Sequence, residues 1–478
     1  VTTSPSRLSR LSAPGLWALA LAAIAVMAPR TPVYWDSFGY LGQSVTGLVG
    51  GLALGRPHFV YTSHAVANVL RALGVSVWSL GAWLTVLWAM VSALCAPLTR
   101  ATLRAAGTND DAALWAGVAV ALSPALAHTA GGVLTDGPSL AVSLVAFVVA
   151  LRGATTARPV RHALLAGALV GLAAGMREQA AAQGLVTLLA FRAVSPRDRW
   201  RCALALLAGF VVGFAPPVLW AATHQVGYRA MLDTWLRGMR EERGAHPYTL
   251  TDFAAFLRWL VALGPVTLVA AMAQWTRGPQ VLLRGPLLAV CAPAMVQLAL
   301  LAGYQDISYS PRYLLSALPG ALAIPAGVAL AHVATTARRR VLLALLMALP
   351  LLVGAPWLRA REAPLSRAVE TVPTLLRGVP ADALIVAGQT CPAVELTRRL
   401  ALAEPARWGA APRWQRICPG WAWPDDLAGR LDAALAQGQT VVLDLRPGAW
   451  LGPRQARVFA EVRAWSETRD HPRVMRWR

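Results

Sequence analysis

The sequence predicts an all-α polytopic membrane bundle of about eleven transmembrane helices followed by a small soluble α/β domain, and three observations carry that expectation. Hydrophobic residues make up 56% of the 478-residue chain and charged residues only 14%, which is too apolar and too long for one soluble core. The apolar residues gather into runs of bilayer-crossing length. From Arg359 onward that pattern gives way to the composition of a soluble protein.

The runs are Pro14–Ala28, Val77–Pro97, Ala112–His128, Pro138–Leu151, Ala163–Met176, Ala180–Phe191, Cys202–Ala222, Phe253–Gln274, Pro286–Ala302, Leu314–Val333 and Val341–Trp357. Those between Ala163 and Phe191 are shorter than the ~20 residues of a full span, so they form either a re-entrant hairpin or two tilted helices. The first run follows Arg7 and Arg10 as a signal peptide would, but Pro29 directly after Ala28 argues against cleavage. It is read as a retained helix with a cytoplasmic N-terminus.

All 44 basic residues are Arg, and the prevalence of Ala, Leu and Arg fits a GC-rich bacterial coding sequence. The formal charge of +21 is of the size seen in nucleic-acid binders. Here, however, the Arg residues lie between apolar runs rather than along one amphipathic face, so no nucleic-acid partner is expected. On the alternating topology, sixteen Arg fall in the inner connections and nine in the longer outer ones, as the positive-inside rule requires. Eleven acidic residues precede residue 359 and none lies within a run, since a bare carboxylate in hydrocarbon is costly. Eight of them are outside: Asp36, Asp136, Glu178, Asp233, Glu241, Glu242, Asp252 and Asp306. Single carboxylates on several outer connections can converge on one cavity at the membrane surface.

The expected domains are therefore 1–358, the bundle with its outer loops, and 359–478, an extracytoplasmic α/β unit. In the latter, "ADALIVAG" and "QTVVLDLRPG" read as short buried strands, and Pro392–Leu402, Pro424–Gln437 and Pro453–Trp465 as helices. Of five Cys, Cys95, Cys202 and Cys291 lie in apolar runs as small core residues. Cys391 and Cys418 form a disulfide if the C-terminal stretch faces an oxidising compartment. There is no metal-type Cys cluster, Gly-rich phosphate loop or fixed-period repeat.

Several outer motifs carry chemistry. In "YWDSFGYLG", Asp36 stands among Tyr34, Trp35, Phe38 and Tyr40. It either caps a helix continuing through Val45 to Leu54 or serves as a general base whose pKa is raised by partial burial. In "GGVLTDGPSLA", Asp136 precedes a Gly-Pro helix start, as an N-cap or as a second carboxylate for the same pocket. Arg177 and Glu178 occupy the outer turn of the short hairpin, and Arg312 and Tyr313 the outer entry to the tenth run. Each Arg is either a snorkelling anchor or the fork for a lipid phosphate. His58 and His64, on an expected surface helix beside Arg56, either touch phosphate or sit in the headgroup region.

The order of these features resembles the GT-C superfamily of polyprenyl-phosphate-sugar glycosyltransferases. The resemblance rests on Asp36 in the first outer loop, "ALSPALAHTAGGVLTDGPSLA", "ALVGLAAGMREQ" and "SPRYLLSALPGALAIPAG". It covers roughly residues 14–335, and the protein O-mannosyltransferase and aminoarabinose-transferase branches are nearest in layout. It implies that Asp36 is the first-loop catalytic acid, that Asp136 is the second-loop acid, and that Arg312 contacts the donor phosphate. Beside these, the residues themselves make Tyr313, Arg177, His58 and His64 candidate phosphate and lipid contacts, and Tyr40 and Glu178 candidate acceptor contacts. Two departures matter. Ser37 follows Asp36 where protein mannosyltransferases often carry an Asp-Glu pair, which weakens the case for a peptide acceptor. The two-Trp, Asp-Tyr signature of oligosaccharyltransferases is absent.

The resulting expectation is an enzyme of the bacterial cytoplasmic membrane that moves a sugar from a polyprenyl-phosphate donor to a glycan, lipid or protein hydroxyl on the extracytoplasmic face. Asp36 takes the proton as the hydroxyl attacks the anomeric carbon with inversion. Arg312 and Arg177 stabilise the departing phosphate. If Asp36 and Asp136 share the site, their carboxylates lie within about 10 Å, by analogy with glycosidase pairs. A divalent metal between them is the alternative; no metal is preferred, because hard cations usually take more oxygen ligands. The rivals are a lipid-linked-sugar transporter or flippase, which should show inverted repeats and midplane charges, and a non-catalytic membrane scaffold.

Overall fold

In a computed structural model of the chain, the residues described are 12–28, 35–50, 54, 56–233, 254, 264–283, 285–302, 314–388, 390–404, 413–417, 426–446 and 453–478. Two compact units are present: Val1–Ala28, Val49–Thr62 and Leu84–Pro356 form the first, and Pro29–Leu48, Ser63–Trp83 and Trp357–Arg478 the second.

The helices of the first unit follow the apolar runs. They are α1 (Ala13–Met27), α4 (Leu80–Ala93), α5 (Cys95–Ala105), α6 (Asp110–Ala121), α7 (Pro124–Ala130), α8 (Asp136–Gly153), α9 (Pro159–Met176), α10 (Ala182–Ala190), α11 (Pro196–His224), α12 (Pro265–Arg277), α13 (Leu288–Ala302) and α14 (Ile324–Val333). Three helices cross the unit's boundaries: α4, whose residues Leu80–Trp83 belong to the second unit, α3 (Pro57–Ala72) and α15 (Ala337–Leu376). Polar residues set the starts. Asn109 Oδ1 accepts from the Ala112 amide at 2.7 Å, Ser123 and Ser195 cap α7 and α11, and Pro stands in the first turn of α7, α9 and α11, where its missing N–H would have had no partner.

Among the described residues five helices are long and apolar enough to cross a membrane: Val77–Ala105, α8, α9, α11 and Ala337–Pro356. The count is six if α6 and α7, bent by 50° at the Leu122–Ser123 break, form one broken span. The expected eleven differs from this because several runs break into shorter pieces. The Ala180–Phe191 run holds only the nine-residue α10, about 14 Å long against a ~30 Å hydrocarbon core. The Leu314–Val333 run divides into a π-helical segment, Leu318–Ala323, and α14. Ten residues of the Phe253–Gln274 run, 253 and 255–263, lie outside the described residues. Burial separates the roles of the spans: 72% of the apolar window of α8 is buried but only 17% of that of α11. The outward residues of α11 are Leu204, Leu207, Val211, Val212, Leu219 and Trp220, an apolar surface suited to lipid.

The packing of α9 on α11 is written in glycine. Gly167, Gly171 and Gly175 recur every four residues, and a Cβ on the first two would strike the carbonyls of Leu206 and Phe210. Reciprocally, a Cβ on Gly209 or Gly213 would strike the carbonyls of Leu164 or Ala168. This is the small-xxx-small contact that lets two backbones touch where no hydrophobic effect drives helices together.

The second unit is built on a four-stranded parallel sheet, β1 (Leu384–Val386), β2 (Gln415–Ile417), β3 (Val441–Asp444) and β4 (Val474–Trp477), in the order β2-β1-β3-β4. Side chains alternate between two cores. Ile385, Ala387 and Val442 face one that contains Leu365, Val369, Val372 and Leu376 of α15 with Val394 of α16 (Cys391–Ala403). Leu384, Val386, Val441 and Leu443 face the other, closed by Leu427 and Leu431 of α17 (Leu427–Ala436) and Val462 and Trp465 of α18 (Pro453–Glu467). Such two-sided burial is what a parallel sheet requires. At the end of β3, the fully buried Asp444 accepts from Arg446 Nε and Nη2 at 2.8 and 2.6 Å and from Thr390 Oγ1 at 2.5 Å.

The outer-loop helix α2 (Trp35–Thr46) also belongs to this unit, packing against α16 with Phe38 in the first core. It stops at Thr46 rather than running on to Leu54. Gly47 takes φ +69°, and any Cβ there would overlap the His64 ring, so the chain turns at the one residue that tolerates both.

Candidate functional site

Asp136 is the first residue of α8, one position inside the Thr135 cap, and is 4% exposed. A carboxylate in a first helical turn is favoured by the helix dipole, and here it also meets a cation. Arg177 Nη1 lies 2.5 Å from Asp136 Oδ1, with side-chain exposures of 4% and 2%. The contact is an ion pair rather than an aligned hydrogen bond.

Arg177 stands where α9 stops. Its backbone is extended (φ −155°, ψ 118°), its amide donates to the Ala173 carbonyl at 2.8 Å, and a short 3-10 turn, Glu178–Ala181, follows. The break swings the side chain back toward α8. Arg177 Nε donates to Gln179 Oε1 at 3.2 Å, while Ser139 Oγ, one turn along α8 from Asp136, donates to the Ala173 carbonyl at 3.1 Å. Gly137 keeps the helix start close to α4, since a Cβ there would overlap Ser92.

Asp136, Ser139, Leu140, Arg177, Gln179, Ala180, Leu315 and Ser316 line a narrow cleft of about 10 Å³, room for about one water. Ser316 Oγ accepts from Gln297 Nε2 at 2.6 Å. Beside the cleft, Arg56 donates twice to Glu178, from Nε and Nη2, both at 2.9 Å. Burial alone would push the Glu178 carboxyl up. The charge and hydrogen bonds of Arg56, with the charge of Arg177, outweigh it and hold the group down to about 2. Asp136, Arg177, Glu178 and Arg56 thus form a formally neutral string of alternating charges around a cleft lined by hydroxyls and an amide. The groups in this lining are of the types that pair with phosphate (the guanidinium) and with hydroxyls (Ser139, Ser316 and Gln179), in a space that would have to open to admit either. At Asp136 Oδ1 a divalent cation would meet the like charge of the Arg177 guanidinium. Among the described residues no group of three or more His, Cys, Asp or Glu forms a metal-binding set.

Of the residues singled out in the sequence, the structure brings Asp136, Arg177 and Glu178 together. His58 is buried, 4% exposed, where a surface helix was expected; its ring lies against Gly175 and Phe214 and its Nε2 is 2.6 Å from the Gly213 carbonyl. The apolar wall of α9 and α11 covers the start of α3, which periodicity within α3 alone does not reveal. Asp36, Tyr40 and His64 belong to the second unit. Asp36, 8% exposed, lies in the first turn of α2, and Tyr40 is 1% exposed. His64 Nδ1 donates to the Ser44 carbonyl at 2.8 Å and its Nε2 accepts from Asn68 at 3.0 Å. Arg312, Tyr313 and Cys418 lie outside the described residues. Cys391 is disulfide-bonded, and Cys95, Cys202 and Cys291 are free and buried.

Arg56, Ser139, Gln179 and Ser316 were not singled out as site residues. Ser139 had a readable signal, three residues from Asp136 on one helix face. Ser316 had only its hydroxyl in an apolar run.

The fold has solved counterparts at low sequence identity. It is similar to the Archaeoglobus fulgidus oligosaccharyltransferase tethered with an acceptor peptide, at 12% identity and a TM-score of 0.51, covering 82% of this chain and 63% of that one. It is also similar to ArnT from Cupriavidus metallidurans bound to undecaprenyl phosphate, at 17% identity and a TM-score of 0.49, covering 84% and 90%. In sequence, no protein-family model matches the chain, and no curated protein does.

Proposed function

We propose that the chain is a membrane glycosyltransferase that moves a sugar from a polyprenyl-phosphate donor to an acceptor hydroxyl, with inversion. The observation that carries this reading is the buried Arg177 in a hydroxyl-lined cleft within a fold similar to that of a solved oligosaccharyltransferase. A guanidinium there is suited to the phosphate that leaves, stabilising charge that grows as the sugar–oxygen bond breaks. Asp136 holds that guanidinium in place. Asp36 is the general base that takes the acceptor proton, a role that rests on the order of motifs. Arg312 and Tyr313, close in sequence to Leu315 and Ser316, are further donor contacts.

The same reading places the N-terminus in the cytoplasm and residues 359–478 outside, in a bacterial cytoplasmic membrane, on the Arg distribution. A disulfide between Cys391 and Cys418 suits that compartment. The test incubates the purified protein with a panel of radiolabelled polyprenyl-phosphate monosaccharides and measures released lipid phosphate. Turnover of one donor, abolished in Asp36→Asn at unchanged expression, is expected. No turnover of any donor would remove the transferase reading, and full activity of Asp36→Asn would remove the base.

A further inference from the structure

We propose that His58 is a positioning residue. It supplies to α11 the N–H that Pro217 lacks and, with Arg56, clasps the turn that carries Arg177. The functional half of this proposal rests on the reading that Arg177 meets the donor phosphate.

The sequence of α11 contains Pro216 and Pro217. Proline has no amide hydrogen, so Pro217 leaves the carbonyl four residues earlier, that of Gly213, without its intrahelical donor. In an apolar segment such a carbonyl needs another partner. His58 Nε2 lies 2.6 Å from the Gly213 oxygen. A carbonyl can only accept, so the ring is the tautomer protonated on Nε2. Its opposite edge, Nδ1, faces Gly175, where a Cβ would overlap the ring, and its face stacks on Phe214 with centroids 6.3 Å apart. The imidazole, on the second residue of α3, is therefore wedged between α9 and α11.

Two residues earlier, Arg56 grips Glu178 through two hydrogen bonds of 2.9 Å. The chain at 56–58 thus touches α9 and its break at two points, Gly175 and Glu178, which flank Arg177. Arg177 itself has an extended backbone and departs from the helix there. Its direction into the cleft is fixed from behind by His58 and Arg56 and from the front by Asp136. His58 acts on the site through Arg177 and touches no substrate.

The test uses the full chain in lipid nanodiscs as wild type, His58→Ala, His58→Gln, Pro217→Ala and the His58→Ala/Pro217→Ala double variant, with Arg177→Ala as control. Thermal unfolding reads the cap. His58→Ala should lower the melting temperature, and Pro217→Ala, which restores the amide, should shrink that loss; equal losses in both backgrounds overturn the cap. Binding of undecaprenyl phosphate, with undecaprenol as the neutral control, reads the positioning. His58→Ala should weaken it about tenfold, the size typical of losing a group that orients a ligand-binding side chain. His58→Gln, which keeps a donor, should restore it, and the double variant should stay weak because the wedge against Gly175 is still missing. Wild-type affinity in His58→Ala, with binding lost in Arg177→Ala, overturns the positioning role. Absence of binding by the wild type overturns the donor reading and the positioning role with it, while the unfolding comparison still decides the cap.

Discussion

Removing one member of the Asp136–Arg177 pair should cost far more than removing both. The two side chains are almost wholly buried, and their nearest atoms are 2.5 Å apart. With charge centres about 4 Å apart and an effective dielectric of about 20, the attraction is about 4 kcal/mol. That agrees with the loss of about 3–5 kcal/mol seen when a buried pair is broken by removing one partner. Asp136→Ala and Arg177→Ala should each destabilise the chain by that amount, since each leaves an uncompensated charge. The double variant should lose much less than the sum, because neither member of the pair is left buried without the other. Reversible unfolding in mixed detergent micelles, run on all three variants as a double-mutant cycle, measures the coupling. Losses that add to within about 0.5 kcal/mol would refute the pair as an energetic unit and with it the role of Asp136 in holding Arg177.

Glu178 has its carboxyl held down to about 2 from an ordinary value of 4.5, so its contribution is complete above the unfolded value and is lost as pH falls from about 4.5 toward 2. Its side chain is 39% exposed, so screening limits the effect to about 1 kcal/mol or less; Glu178→Gln should flatten the stability–pH curve over that window when unfolding is followed at a series of pH values. Gly213→Val places a branched side chain against the Ala168 carbonyl and should cost about 3 kcal/mol, as overpacked contacts do, read as a lower melting temperature; Gly354→Val, at a position with no neighbour within 4 Å of a Cβ, should leave it unchanged. Trp275 Nε1 donates to the Ala321 carbonyl at 2.9 Å, so Trp275→Phe should lose about 1–3 kcal/mol, and less in a Pro325→Ala background where the helix regains its own donor.

The apolar runs and the two central strands were legible because their signals are local. A run of Ala, Leu and Val declares a buried or lipid-facing segment, and "ADALIVAG" and "QTVVLDLRPG" contain β1 and β3. The edge strands were not legible: β2 is Gln-Arg-Ile and β4 is Val-Met-Arg-Trp, and three or four residues with an Arg among them are too few for a periodicity to show. Asp136 and Arg177 were each found as isolated charges on outer connections, but their pairing was not, since it depends on how α9 ends and on the packing of α8 beside it. The burial of His58 was hidden for a related reason. Its wall is made by glycines more than a hundred residues away, and nothing within α3 signals them.

Proline positions offer a way to read part of that hidden wiring. Pro217 frees the Gly213 carbonyl and Pro325 frees that of Ala321, and each receives a ring N–H from another helix, His58 in the first case and Trp275 in the second. Trp17 Nε1 does the same for Met90 at 3.0 Å, where the α4 ladder breaks and the Leu94 amide turns to Val91 instead. The cleft follows the same logic. Asp136 begins α8 after an irregular turn, Arg177 sits in the break after α9, and Ser316 lies two residues before the π-helical segment. Irregular backbone in an apolar unit persists only where protein or a cavity satisfies its polar groups. Three breaks meeting at one place therefore concentrate both the backbone dipoles and the charged side chains there. A small polar, charged cleft inside an apolar unit is the chemical consequence of interrupting these helices together.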